Sequence, residues 1–458
     1  MRTIFISSFS HSPVNNFSIP NGVFERLIKG KAADTKIVLL MSKGEHYDKI
    51  RNAPYVLNGS ITIEMLPSFE PKGFKAKFFR FFYSYLIFTG TTKTLATLGA
   101  RADMPPAGGN RYLAPVKWLI ANTLGRISVV KKRLVPWLFD CVFTDRPYTI
   151  VFEKYHPDLV FAASIALLPD SELLSEAQRR GVKTVGMVVN WDHLNKYFIP
   201  RRADYLIVQN EPMKREAIEF QGYESNQVIA ITGFPRFDIY HDSTSYASPR
   251  KDFFRHFNIP EDAKLILFIS GAAYSLDEAD ILKTVADWIK QNRFKQEVRL
   301  IVRPYVTLRD QKQEEVKYKE LVGDPIISFN WVKADLSPES RGLYLGMFHH
   351  ADVIISMFST TAIEAALLDK PTIAIGFDGY SKRPMHQSVR RMERMHHFRN
   401  VLDTGNVQVV RNFEDLFQSI DTYLQNPQKD MEKRKELVEK LCVSGDGLAS
   451  KRVSDTIL

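Results

Sequence analysis

Four hydroxyl side chains within six residues, Ser356, Ser359, Thr360 and Thr361, follow an apolar run and open a helical period over 360–368. Free N–H groups at a helix start, together with such hydroxyls, suit a bound diphosphate. Simple capping needs only one of them. Glu364 stands one to two turns further on, where a carboxylate can accept ribose hydroxyls. Arg303-Pro304 closes another apolar run. A guanidinium there can hold a phosphate through two hydrogen bonds and offset leaving-group charge. Ser270-Gly271-Ala272-Ala273 ends a third run and permits close backbone approach. Arg236, Asp378, Arg383 and His386 fall in loops expected to border a cleft, where ordinary surface ion pairs are the plainer alternative.

Two stretches carry groups able to take a proton. Asn190-Trp191-Asp192-His193-Leu194 follows the run 184–189, and Asp192 or His193 can act as general base toward an acceptor hydroxyl. Alternatively Asp192 caps a turn and His193 packs. His11, in the Ser-rich loop after the first run, is a further catalytic candidate or a surface histidine. Cys141 and Cys442 form no CxxC, and no DxD triplet occurs. The pairs His349-His350 and His396-His397 are adjacent residues, which point to different helix faces. No metal site and no cofactor are expected. Asp277-Glu278-Ala279-Asp280 spells a helicase string, but no GxxxxGKS or GxxxxGKT loop accompanies it. It reads as acids in a helix's first turn.

These residues need a scaffold. Ile- and Val-rich runs at 3–7, 36–41, 61–66, 159–163, 184–189, 205–208 and 228–232 alternate with amphipathic stretches such as 171–180 and 212–220. The pattern resumes at 265–270, 299–303, 353–356, 372–375 and 407–410, with helical periods at 277–291, 338–350 and 360–368. Continuous apolar strands between helices predict parallel sheets covered on both faces. The expected class is α/β, with two Rossmann-like doubly wound domains over 1–240 and 241–430. A C-terminal helix over 431–458 is expected to return toward the first domain. Ligands in such sheets sit beyond the carboxyl ends of the strands, where the residues above fall.

The chain has 458 residues and a net charge of +10. Between Lys72 and Arg133 stand twelve basic residues and one acid, Asp103, so that segment carries +11 and the remainder −1. It belongs to an insertion over 72–150 in the first domain. Gly73–Phe88 holds eight aromatics, and 112–139 adds Trp118, Trp137 and Phe139 around Lys131-Lys132-Arg133. Cations beside aromatic rings suit an anionic bilayer surface. They also suit a helix pair in a core with snorkelling stems, or single-stranded nucleic acid. No RNP, helix-turn-helix or zinc-finger pattern supports the last, and no nucleic-acid partner is expected. No run approaches the roughly 20 apolar residues that span a bilayer. The first residues are too few for a signal-peptide core. A cytoplasmic protein, peripheral on the inner face of the cell membrane through 72–133, is expected.

Several of these stretches resemble GT-B fold transferases of the CDP-glycerol glycerophosphotransferase and capsule-type polysaccharide transferase group. The span 352–375 resembles that group's nucleotide-binding βαβ unit. Thr232-Gly233-Phe234-Pro235-Arg236-Phe237-Asp238-Ile239-Tyr240 resembles its interdomain signature, and Gly445-Asp446-Gly447-Leu448-Ala449-Ser450-Lys451-Arg452 its C-terminal ending. Asn190–Leu194 is similar to a W-D-(N/H)-L stretch of related surface-carbohydrate transferases. Together they cover roughly 185–458.

The resemblance implies two domains facing across a cleft. It implies transfer of a sugar or glycerol phosphate from a nucleotide-activated donor to a surface-glycan or lipid-linked acceptor, without a metal. The donor is then expected on Arg303, Ser356, Ser359, Thr360, Thr361, Glu364, Gly271 and Asp378, with Asp192, His193 or His11 catalytic. Two other readings stay open. A non-hydrolysing nucleotide-sugar epimerase shares the architecture, and a non-catalytic membrane-associated protein would keep only the fold.

Overall fold

Runs such as Thr3-Ile4-Phe5-Ile6 and Ile37-Val38-Leu39-Leu40 lack polar alternation, so both faces of the strands they form must be covered. In a computed structural model of the chain they are: Ile4, Phe5, Ile6, Val38, Leu39 and Leu40 are buried. The structure describes residues 2–67, 69–104, 108–305, 311–332 and 337–458. Residues 105–107 of the basic segment lie outside the described residues.

Two compact units result. The first comprises the chain through Thr92, Pro115–Ile239 and Lys440–Leu458; the second comprises Lys93–Ala114 and Tyr240–Glu439. The first holds seven parallel strands: β1 (Arg2–Ser8), β2 (Thr35–Met41), β3 (Thr62–Met65), β4 (Leu159–Ala162), β5 (Lys183–Met187), β6 (Tyr205–Val208) and β7 (Val228–Ile231). Their order is β3-β2-β1-β4-β5-β6-β7. The second holds β8 (Lys264–Ile269), β9 (Val298–Arg303), β10 (Ile327–Phe329), β11 (Val353–Ser356), β12 (Thr372–Ile375) and β13 (Val407–Val410), ordered β10-β9-β8-β11-β12-β13. Both are doubly wound parallel sheets, as the pattern predicts. The sequence reading misses β10, which spans three residues and pairs with β9 from Ile327 to Phe329. So short a run carries no period of its own.

Strand order reverses beside β1 and β4 in the first sheet and beside β8 and β11 in the second. A crevice for ligands opens at such a reversal, at the carboxyl ends of the strands. In the second sheet it lies between the loop after Ile269 and the loop after Ser356.

Among its described residues the insertion 72–150 forms helices including Phe74–Ser84, Gly90–Leu98, Gly108–Asn122 and Val135–Val142, with a π-helical turn at Val130–Leu134. One face joins the first unit's core: Ala76, Phe79, Leu86, Val130, Val135, Phe139 and Phe143 pack with Phe5, Val38 and Val160. The opposite side chains stay in solvent, with Phe74 82% exposed, Tyr112 80%, Phe78 62%, Trp137 60%, Leu119 56% and Trp118 53%. The cations divide in the same way. Lys72, Lys75, Lys77, Arg80 and Arg111 are exposed, whereas Lys131 is buried and donates to the Phe220 carbonyl at 2.9 Å. Burial pulls the Lys131 and Lys117 ammonium groups down to about 8. No described helix is long and apolar enough to cross a membrane.

Candidate active site

At the β8/β11 crevice a glycine is required by packing, not by its backbone angles. A Cβ on Gly271 would come 1.7 Å from Met357 Sδ, and Met357 is itself buried at the end of β11. The loop is wired from beneath. Glu278 accepts from the Gly271 N–H at 2.6 Å and from Ser270 Oγ at 2.8 Å. Lys317 Nζ at 2.6 Å and the Tyr318 hydroxyl at 2.8 Å hold the same carboxylate. The Gly271 N–H is thus occupied, and what the loop offers a ligand is close approach. Ala272, next in line, sits in the left-handed region at φ 46°. Gly271→Ala should destabilise the protein by about 1–3 kcal/mol through overpacking. Chemical denaturation measures that loss, and a displaced Met357 should weaken any ligand in the crevice.

The hydroxyl cluster is partly spent on its own turn. Ser359 Oγ accepts from the Thr361 N–H at 3.1 Å and lies 2.8 Å from Thr361 Oγ1. Ser356 Oγ donates to the Met357 carbonyl at 2.8 Å. The helix begins at Thr361, and Thr360 stands half-buried at its N-cap without a side-chain cap bond. Capping therefore explains Ser359 and Thr361, and leaves Thr360 as the hydroxyl directed to nothing in its own turn.

Arg303 closes β9, beside the end of β8, where the Ser270 N–H donates to its carbonyl at 3.1 Å. Its guanidinium lies 4.7 Å from the centroid of the Tyr344 ring, and its buried Nε has no hydrogen-bond partner. Tyr344, on helix Pro338–His350, donates to Glu364 Oε2 at 2.5 Å, and Tyr240 donates to the same oxygen at 2.6 Å. Arg303 and Glu364 are thus joined through one tyrosine. Tyr344 is not legible in the sequence, because which face of 338–350 meets Glu364 depends on packing; Tyr240 ends the stretch 232–240, but its bond to Glu364 does not show there. Asp378 lies beyond β12 and accepts from the Val389 N–H at 2.8 Å, pinning the loop that holds the fully buried Arg391. Arg383 makes a two-pronged pair with Asp277, at 2.7 and 3.0 Å. His386 is half-buried in the loop after β12.

In the first unit, the loop after β5 carries Asp192 and His193. Lys196 Nζ donates to Asp192 Oδ2 at 3.2 Å. The Asn190 amide nitrogen lies 3.1 Å from His193 Nε2, and His193 Nδ1 is buried without a partner. With the amide turned over, its oxygen accepts from Nε2–H and Nδ1 keeps a free lone pair, the form a base requires. Burial holds the His193 pKa below its ordinary 6.5. His11 is exposed after β1, and its ring meets that of His46 edge-on at 5.4 Å. His46, unmarked in the sequence reading, is buried after β2, and burial and then His11 lower its pKa.

The two signature stretches meet inside the first unit. Asp238 accepts from the Ala449 and Ser450 N–H groups, at 2.9 and 2.7 Å, at the start of the last helix, Ala449–Ile457. Arg452 Nη1 donates to the Thr232 carbonyl at 3.2 Å, and Arg452 also pairs with Asp446. Gly233, at φ 79°, leaves room for the Cys442 carbonyl. They form a clasp that returns the chain end to β7. Arg236, within the clasp, stacks on Phe237 at 4.6 Å and has an unpartnered Nε.

Residues 183–458 match the family model for CDP-Glycerol:Poly(glycerophosphate) glycerophosphotransferase. The chain belongs to that family. The match opens at β5, so it takes in Asn190–Leu194, the clasp and the whole second sheet, and leaves out the basic segment. This glycerophosphotransferase-family chain is therefore an enzyme of the nucleotide-donor transferase type. No curated protein sequence matches it. Among solved structures, a UDP-GlcNAc 2-epimerase from Neisseria meningitidis bound to UDP-GlcNAc superposes with a TM-score of 0.56 at 13% identity, covering 100% of this chain and 99% of that one. S. aureus MnaA in complex with UDP gives 0.53 at 12%, covering 100% and 96%. A glycosyltransferase from Rickettsia africae ESF-5 gives 0.52 at 11%, covering 100% and 98%. At these identities the likeness is one of fold.

Proposed function

We propose that the enzyme transfers a sugar or glycerol phosphate from a nucleotide-activated donor to a surface-glycan or lipid-linked acceptor at the inner membrane face. The observation that carries the donor site is Arg303, a cation at the carboxyl edge of the second sheet whose buried Nε lacks an acceptor. A diphosphate would supply one, with Thr360 and the close-approach loop at Gly271 beside the same crevice. Glu364, fixed by two phenols, would present its carboxylate to the ribose, and Asp378 would hold the loop beyond β12. His193, kept neutral, would take the proton of the acceptor hydroxyl as it attacks, with Asp192 beside it and His11 further along the same sheet edge. In sugar transfer the broken bond is the anomeric C–O bond and a nucleoside diphosphate leaves. In glycerol phosphate transfer it is the phosphoanhydride, and a nucleoside monophosphate leaves. Arg303 offsets the leaving-group charge in place of a metal.

The test is a thermal-shift and calorimetric screen of the purified protein against CDP, UDP, GDP, CMP and ADP, with and without EDTA. One nucleoside diphosphate should stabilise the protein equally in both, and no stabilisation by any nucleotide sinks the transferase reading. Conversion of a UDP-sugar without an acceptor would favour epimerisation instead.

Membrane attachment rests on the exposed rings and cations of 72–133. Because Phe79, Leu86 and Val130 of that segment are core, deletion would unfold the first unit, and surface substitution is the sound test. Phe74→Ser with Phe78→Ser and Trp118→Ser should release the protein from vesicles containing phosphatidylglycerol in a flotation assay while leaving nucleotide stabilisation intact. Retention on those vesicles would overturn the attachment.

A further inference from the structure

A charged cavity lies at the amino end of the first sheet. It encloses about 520 Å³, within the range of small-ligand sites. Lys183 opens β5, Arg201–Asp204 precede β6 and Gln227 precedes β7, so the cavity stands at the amino ends of the strands, opposite the loops of His11 and His193. Lys132 and Pro136 of the basic segment complete its wall.

The charges do not cancel. Asp204 is the acid among the lining residues, and its carboxylate is engaged by the Thr184 N–H at 2.9 Å and the Thr184 hydroxyl at 2.7 Å. Arg201 is matched by Asp140 at 2.8 Å, outside the lining. Lys132 is matched by the exposed Glu224 at 2.5 Å. Arg202 donates to the Gly222 carbonyl at 2.6 Å, and its buried Nε has no acceptor. Burial also lowers the Arg202 pKa, against the opposing effect of Tyr223 and Glu224. Lys183 is exposed at the rim.

We infer that this cavity binds a phosphate mono- or diester, held by Arg202 and Lys183 with Arg201 and Lys132 behind them. A phosphate oxygen would satisfy the Arg202 Nε, and the tetrahedral anion fits a site with several convergent donors. Trp137, 60% exposed beside Pro136, gives the phosphate a natural source, since such a ring sits at the depth of lipid headgroups. The source rests on the membrane reading above; the anion site does not.

The full-length protein is compared with Arg202→Gln and Lys183→Gln. One probe is vesicles of phosphatidylglycerol in phosphatidylcholine, against phosphatidylcholine alone. The other is glycerol 3-phosphate in solution, titrated calorimetrically with nucleoside diphosphate present to fill the donor site. Each variant should lose about five-fold in affinity for the anionic vesicles, about 1 kcal/mol per cation. A loss confined to vesicles identifies a lipid headgroup, and a parallel loss for glycerol 3-phosphate identifies a free phosphate ester. Wild-type binding of both probes by both variants overturns the site. So does a loss confined to Arg202→Gln with a lowered melting temperature, because the exposed Lys183 side chain has no hydrogen bond or ion pair among the described residues whose removal would mimic it. If Trp118→Ser abolishes vesicle binding while the cavity variants keep wild-type affinity for both probes, the membrane face stands and the anion site falls.

Discussion

Arg303→Gln is expected to cost about 10²-fold or more in kcat/KM and to weaken nucleoside diphosphate binding by roughly ten-fold or more. The fold should hardly notice. The side chain donates to no acceptor through its buried Nε, and what it gives up is contact with the Tyr344 ring, worth about 1 kcal/mol. Arg303→Lys keeps the charge and loses the planar fork, so it should recover part of the binding and little of the rate. Steady-state kinetics, calorimetry and a melting curve on the three proteins decide the matter. A melting temperature that falls with unchanged nucleotide affinity would make Arg303 a scaffold residue. Wild-type kinetics in Arg303→Gln would remove it from the donor site.

His193→Asn is expected to lower kcat by about 10²–10⁴, the usual share of a general base. The pH profile separates this from misfolding. Burial disfavours the imidazolium, so the folded pKa lies below 6.5 and the neutral ring persists through pH 6.5. Activity of the wild type should therefore fall only at more acid pH, and that acid limb should vanish in the variant. Stability follows the same sign. A depressed folded pKa means that the unfolded chain binds the proton first, so the wild type loses stability as pH falls from 6.5 toward the folded value. The Asn variant lacks that loss. An acid limb that survives in His193→Asn would transfer the role to His11 or Asp192, and the corresponding His11→Asn profile would say which.

Much of the scaffold was legible because parallel strands announce themselves. Ile- and Val-rich runs without alternation have to be buried on both faces, and twelve of the thirteen strands among the described residues follow from that alone. β10 escaped because three residues carry no period. The clasp residues were also visible, since the stretches 232–240 and 445–452 resemble the family's signatures. Their role was not visible: Asp238 reaches across 211 residues to Ala449, and sequence spacing says nothing of such a bond.

Around the crevice the division is sharper. Residue type and position marked Arg303, Ser359, Thr360, Glu364 and the loop at Gly271, because hydroxyls, cations and a glycine at strand ends have few other uses. Tertiary structure decided which of them keep a free group. Ser359 is spent on the Thr361 N–H at the start of the helix, the Gly271 N–H belongs to Glu278, and Glu364 is held by Tyr240 and Tyr344 from two other elements. The basic segment shows the same split, with Phe79 in the core and Phe78, its neighbour in the chain, in solvent. Local composition determines what a side chain is able to do, by its charge, shape and backbone propensity. Whether it is left free to do it depends on the partners folding sets beside it, from a neighbour in its own turn for Ser359 to a tyrosine 124 residues away for Glu364, and the distant ones are chosen by strand order and helix packing.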